Sequence, residues 1–116
     1  MNLIEHIKEE EGFRGYPYDD TLGFPTIGYG TKLPLTEHES LLILEYRLAS
    51  MQKELIKNLP DFSAQAEVWD VLYGMTYQMG VRGVLNFKKM IVALRARDYR
   101  EAARQMLDSK WAKQTP

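Results

Sequence analysis

The stretch Glu11–Gly30, EGFRGYPYDDTLGFPTIGYG, constrains this 116-residue chain more than any other. It is too rich in glycine, proline and tyrosine to continue a helix. Tyr16-Pro17-Tyr18 and Phe24–Tyr29 predict short strands around an Asp19–Gly23 turn. Nearly everything before and after it carries helical periodicity, so a small β element must be set into a mainly helical chain.

The flanking helices announce their ends. Asn2 followed three residues later by Glu5 predicts an N-cap, and Leu3, Ile4 and Ile7 mark one apolar face. Glu11 lies four residues after Ile7 and shares that face. Gly12 is a natural helix stop. Thr36-Glu37-His38-Glu39 is a capping box opening a long helix. Leu41, Leu44, Leu48, Met51 and Leu55 form its apolar stripe, and Leu59-Pro60 closes it. Beyond Pro60 the chain reads helical throughout. Val68, Trp69, Leu72, Met75, Thr76 and Met79 line one helix, stopped by Gly80, with a second break expected at Gly83. Phe87–Leu94 predicts a short helix. Asp98-Tyr99-Arg100-Glu101 is another capping box, starting a helix that turns Ala102, Ala103, Met106 and Leu107 inward. The methionines and aromatics here read as core, not as a ligand box.

Within the organising stretch a glutamate, an aspartate and a threonine stand at E-x8-D-x5-T spacing: Glu11, Asp20 and Thr26. Glu11 at a helix C-terminus beside apolar residues is disfavoured as an anion, which suits a carboxyl group kept as a proton donor. The plainer reading is a last-turn surface glutamate like Glu9 and Glu10. Asp20 at the turn is expected to be solvated and ionised, able to take a proton from water, or simply to supply turn chemistry. Gly28 and Gly30 allow a close backbone approach or merely a bend. The set fits a glycosidase: Glu11 as acid, Asp20 as base, Thr26 holding the water.

Other chemistries find less support. Gly23-x4-Gly28 is followed by Tyr29, not Lys, so it is no Walker loop; Gly28-x-Gly30-x-x-Leu33 lacks the third glycine of a dinucleotide fingerprint. No cysteine means no disulfide framework, zinc-thiolate site or cysteine nucleophile. His6 and His38 lack metal-ligand spacing, so no metal and no cofactor is expected. The N-terminus has no apolar h-region and no stretch can span a bilayer; no signal peptide and no stable membrane insertion are expected. The net charge of −1 hides an uneven distribution. Residues 1–61 carry 6 Lys/Arg against 11 Asp/Glu, and residues 62–116 carry 9 against 5. The basic half suits an anionic polymer or membrane face, or is a solvated helix pair, since its charges alternate with acids. Arg95, Arg97, Arg100 and Arg104 form no recognised nucleic-acid motif.

Taken together these residues resemble the phage-type lysozymes, the endolysin family of the T-even phages. The resemblance runs through Glu11-Gly12, Asp20-Thr21, Gly23 and Thr26-Ile27-Gly28-Tyr29-Gly30. It resumes at Gln78-Met79-Gly80, Phe87, Ala102-Ala103, Ser109-Lys110-Trp111 and Gln114-Thr115-Pro116. It implies an α+β, mostly helical, lysozyme-like fold in a single domain. A β-hairpin lobe at about 12–36 would be joined by a long helix at about 37–59 to a helical lobe at about 60–116. Helix 2–11 would pack on that lobe, and the active-site cleft would lie between the lobes. The implied activity is hydrolysis of the β-1,4 bond between N-acetylmuramic acid and N-acetylglucosamine in peptidoglycan, with inversion. Glu11 is then the general acid, Asp20 the carboxylate activating water and Thr26 its companion. Tyr77 and Gln78 are expected to bind substrate, with Trp111 behind Gln78. The partners implied are peptidoglycan glycan strands and a holin-type protein for release from the host cytoplasm to the wall. The chain is expected to be a monomer.

Departures from the family pattern sharpen the expectations. Thr31 replaces a histidine that pairs with an acid in the second lobe of better-known members. The Thr31–Thr36 loop is short, which predicts fewer strands. Met90 and Gln105 stand where smaller polar cleft residues are usual. The family continues past Gln114-Thr115-Pro116 into a segment whose arginine pairs with the catalytic glutamate, and its absence here is expected to uncover apolar surface and favour self-association. The competing reading is a peptidoglycan-binding module that does not cut. Lytic transglycosylase chemistry needs no water-activating carboxylate, so Asp20 favours hydrolysis.

Overall fold

The computed structural model describes residues 2–60 and 62–107. Trp111, its neighbours Ser109 and Lys110, and Gln114-Thr115-Pro116 lie outside the described residues. The chain divides into two compact units, Met1–Leu42 and Ile43–Pro116.

The first unit opens with α1 (Leu3–Glu11). Asn2 caps it, its side-chain oxygen accepting from the Glu5 N–H at 2.9 Å. Gly12 ends it at φ 70°, donating back to the Lys8 carbonyl at 2.9 Å. A three-stranded antiparallel sheet follows: β1 (Arg14–Asp19), β2 (Pro25–Gly28) and β3 (Thr31–Lys32), paired in chain order. Tyr18 faces Thr26, and Thr26 faces Lys32. The register is irregular between Arg14 and Tyr18, where β1 carries more residues than its partner. Thr31 and Lys32, read in the sequence as loop, pair with β2 as a short third strand.

The long α2 (Glu37–Asn58) begins in the first unit and continues into the second. Its capping box is complete: Glu39 accepts from the Thr36 N–H at 2.8 Å, and the Thr36 hydroxyl accepts from the Glu39 N–H at 3.1 Å. Of its predicted stripe only Leu55 is buried; Leu48 and Met51 are half-buried, Leu41 and Leu44 exposed. The apolar run Leu41–Leu44 goes round the helix instead of keeping to one face, and only the C-terminal end of α2 joins a core.

That core belongs to the second unit. It is built by α3 (Ala66–Leu85), α4 (Lys88–Arg95) and α5 (Tyr99–Leu107) with Leu55, Leu59 and Phe62. Leu55, Leu72, Met75, Val84 and Met90 are the fully enclosed members. Trp69 stands edge-on to Phe62 at 5.1 Å and stacks on Tyr73 at 5.5 Å. Gly80 breaks α3 as expected, at φ 81° and ψ 165°, a conformation that only glycine adopts readily. Gly83 does not break it. The Met79 side chain lies where a Cβ on Gly83 would be, 2.8 Å from its Cγ, so this glycine serves packing and not a stop. α4 ends in a Schellman motif: Asp98 N–H donates to the Ala93 carbonyl and Arg97 N–H to that of Leu94, with Arg97 at φ 58°. Asp98 then caps α5 through the Glu101 N–H at 3.1 Å. The box is only half made, because the Glu101 carboxylate accepts from Arg104 and Gln105 instead.

Candidate active site

The first unit holds a concavity of about 720 Å³, and both predicted carboxylates line it. Glu11 arrives from the last turn of α1 and Asp20 from the β1–β2 turn. Arg14, Tyr18 and Asp19 from β1, Thr21 from the turn and Lys32 from β3 complete its polar wall; Leu22, Phe24 and Leu33 supply apolar surface.

Glu11 is placed by the turn between β2 and β3. A Cβ on Gly30 would stand 2.7 Å from the Glu11 carboxyl carbon and from Oε2, and Gly30 has φ 74°. The positive φ favours glycine there, and a side chain would in addition push the flexible Glu11 carboxyl aside. One helical turn earlier, Lys8 lies over the Tyr29 ring at 5.5 Å, and Tyr29 also meets Phe13 at 5.4 Å. The end of α1 is thus fastened to the hairpin tip on both sides of Glu11. The apolar face that Glu11 was expected to share is uncovered: Leu3, Ile4 and Ile7 are exposed, and α1 buries no residue.

Asp20 is a turn residue and a site residue at once. Its Oδ1 accepts from the Leu22 N–H at 2.9 Å and the Phe24 N–H at 2.8 Å. Its own N–H donates to the Phe24 carbonyl, and its carbonyl accepts from Gly23. Its Oδ2 pairs with Lys32 Nζ. The expectation of a solvated aspartate is therefore corrected. Only 15% of its side chain is exposed, because the turn closes around it. The Lys32 ammonium above all, then the Phe24 N–H, hold its carboxyl below the usual carboxylate range, outweighing the opposing effect of burial. The same pairing pushes the Lys32 ammonium up.

Thr26, on β2, is buried, and its hydroxyl donates to the Phe24 carbonyl at 2.8 Å. It does not line the concavity but shares a sheet face with its cross-strand partners Tyr18 and Lys32. Tyr77 and Gln78 sit on α3 in the second unit, both exposed. Met90 is fully enclosed in the core, and Gln105 donates to Glu101 at 2.8 Å, which accounts for two of the departures noted in the sequence.

Three wall residues escaped the sequence reading: Arg14, Tyr18 and Lys32. Arg14 lies over the Tyr18 ring at 4.4 Å. Lys32 could have been found only by pairing a third strand in register, which a two-residue strand does not announce. Among the described residues of the second unit, Asp98 and Glu101 also share a hollow, but Asp98 is spent as the cap of α5. It runs along α4 and α5, and the Glu101 carboxyl is committed to Arg104; another hollow between α3, α4 and α5 is lined by apolar side chains and Tyr99. Among the described residues no group of three His, Cys, Asp or Glu could hold a metal ion, and no helix is long and apolar enough to cross a membrane.

The chain is similar along nearly its whole length to known proteins. The phage lysozyme family profile matches residues 8–115. The pre-baseplate central spike protein Gp5 of Enterobacteria phage T4 is 30% identical over 151 aligned positions, covering 99% of this chain and 26% of the spike protein. A Dictyostelium discoideum protein named "Probable T4-type lysozyme 1" is 28% identical, over 99% of this chain and 87% of that protein. This chain thus spans about a quarter of the length of the spike protein. An alignment of 151 positions is longer than the 116 residues here, so gaps must open in this chain.

Proposed function

Since the chain belongs to the phage lysozyme family, we propose that it is a glycoside hydrolase cutting the β-1,4 bond between N-acetylmuramic acid and N-acetylglucosamine in peptidoglycan. The observation that carries this reading is the meeting of Glu11 and Asp20, from different elements, in one concavity. Glu11 donates its proton to the leaving glycosidic oxygen. Asp20, held ionised by Lys32 and the Phe24 N–H, accepts a proton from water as the water oxygen bonds to the anomeric carbon. The anomeric C–O bond breaks, Glu11 is left as carboxylate and Asp20 as acid, and exchange with solvent restores both.

Thr26 receives a defined part. Its single hydroxyl proton is committed to the Phe24 carbonyl, so toward a water it can only accept. A water giving one hydrogen to Asp20 turns a lone pair to the sugar; Thr26, buried and off the concavity wall, is assigned to this water by the family resemblance. Attack from the side opposite the leaving group inverts the anomeric centre, an outcome that requires the carboxyls about 6.5–9.5 Å apart. Tyr77 and Gln78 are assigned to substrate binding by the family resemblance.

The test is product analysis on purified peptidoglycan. Reducing ends of inverted configuration support the proposal. Anhydro ends point to a transglycosylase, retention to a nucleophilic Asp20, and binding without new ends to a non-cutting module.

A further inference from the structure

We propose that Lys32 is a positioning residue for hydrolysis: paired with one side of Asp20 Oδ2, the oxygen that the turn N–H groups leave open, it fixes the carboxylate and leaves one defined place on Oδ2 for the water. The inference rests on the reading of Asp20 as the base and goes beyond it, because nothing in that reading requires a cation on β3.

The hydrogen-bond inventory leads to it. A carboxylate has about four lone-pair sites, two on each oxygen. On Asp20, Oδ1 accepts from Leu22 and Phe24, which fills it. Among the described residues Oδ2 accepts from Lys32 alone, so a water that Asp20 activates binds Oδ2 beside the ammonium. The charges around the pair favour this arrangement. Asp19 is on the same wall, and the other cation there, Arg14, lies over Tyr18. Lys32 reaches Asp20 because it faces Thr26 across the β2–β3 pair and so projects on the sheet face that Thr26 shares. Of the pair Asp20 is the shielded member, 15% exposed against 57% for Lys32, so solvent screens the interaction less than between two surface groups.

The experiment compares the full chain with Lys32→Met, Lys32→Arg and Asp20→Asn. Peptidoglycan hydrolysis is followed across pH, and the Asp20 carboxyl carbon is titrated by NMR. Lys32→Met keeps the unbranched stem and removes the charge. The expected results are an acid limb of kcat/KM moved to higher pH, an Asp20 titration moved the same way, and a fall in plateau rate of up to about 10²-fold from lost positioning. Lys32→Arg should bring both limb and titration back toward the parent. Asp20→Asn keeps an Oδ1 acceptor for the turn, so the fold remains while proton acceptance is lost. If Asp20→Asn is inactive and Lys32→Met leaves both limb and titration in place, the role of Lys32 is overturned and the base assignment stands. If Asp20→Asn stays active, the base assignment itself fails and the inference fails with it.

Discussion

The two units of this chain solve different problems. Every residue of the buried apolar core, from Leu55 to Ala102, lies in the second unit. In the first, Thr26 is the one buried side chain among the described residues, and it is polar. The charges differ as well: residues 1–42 carry 8 acids against 3 bases, residues 43–116 carry 8 against 12. The first unit holds its shape by hydrogen bonds, a turn wound around Asp20 and a glycine pressed against Glu11. The second does so by enclosing leucine, methionine and valine. The proposed acid and base thus stand where side chains are fixed by directional bonds, and the apolar core where they are fixed by packing.

The comparison breaks first, if it breaks, at Glu11. Glu11→Gln is expected to lower hydrolysis about 10²–10⁴-fold while the melting temperature stays put. Glu10→Gln, one residue away and exposed, is the control. A melting shift as large as that of a core mutation would show that Glu11 is structural.

Next comes the converse. Leu72→Ala removes an enclosed side chain from α3 and should cost about 2–5 kcal/mol in unfolding free energy. Activity per folded molecule, assayed well below the melting point, should be nearly unchanged. Loss of activity in the folded state would tie core packing to the site.

Gly30→Ala tests the hairpin itself. The left-handed backbone would cost about 1–2 kcal/mol, and displacement of the Glu11 carboxyl should lower kcat by up to about 10²-fold. Full activity would mean that Glu11 reacts from another position.

The smallest effect lies in the second unit's surface charge. Glu101 is held down to about 2, by Arg104 first and then by Gln105, against an ordinary 4.5. A lowered folded value means stability that is complete above pH 4.5 and is lost as the pH falls through 2. The pair is exposed, so solvent weakens it. Melting followed from neutral pH into this window should fall slightly less for Glu101→Gln than for the parent. Hydrolysis should respond instead to the titration of Asp20 and Lys32. A common pH dependence for melting and activity would erase the distinction between the units.

Local chemistry was legible in the sequence. The Asn2 and Thr36 caps, the Gly12 stop, the Asp20 turn and the break at Gly80 each depend on residues within four positions of one another, and each stands where its residues say. The spacing of Glu11, Asp20 and Thr26 was legible too, because helix, turn and strand follow directly in the chain. Other matters waited for tertiary structure. Lys32 meets Asp20 across twelve residues, through the register of a two-residue strand. Gly30 lies against a glutamate nineteen positions earlier, and Leu41 looks as apolar in sequence as Leu55 although only Leu55 is enclosed. Periodicity reports which side chains could be buried and spacing reports which could be neighbours. Which ones meet is decided by strand register and helix packing, because those bring together groups whose separation along the chain carries no signal.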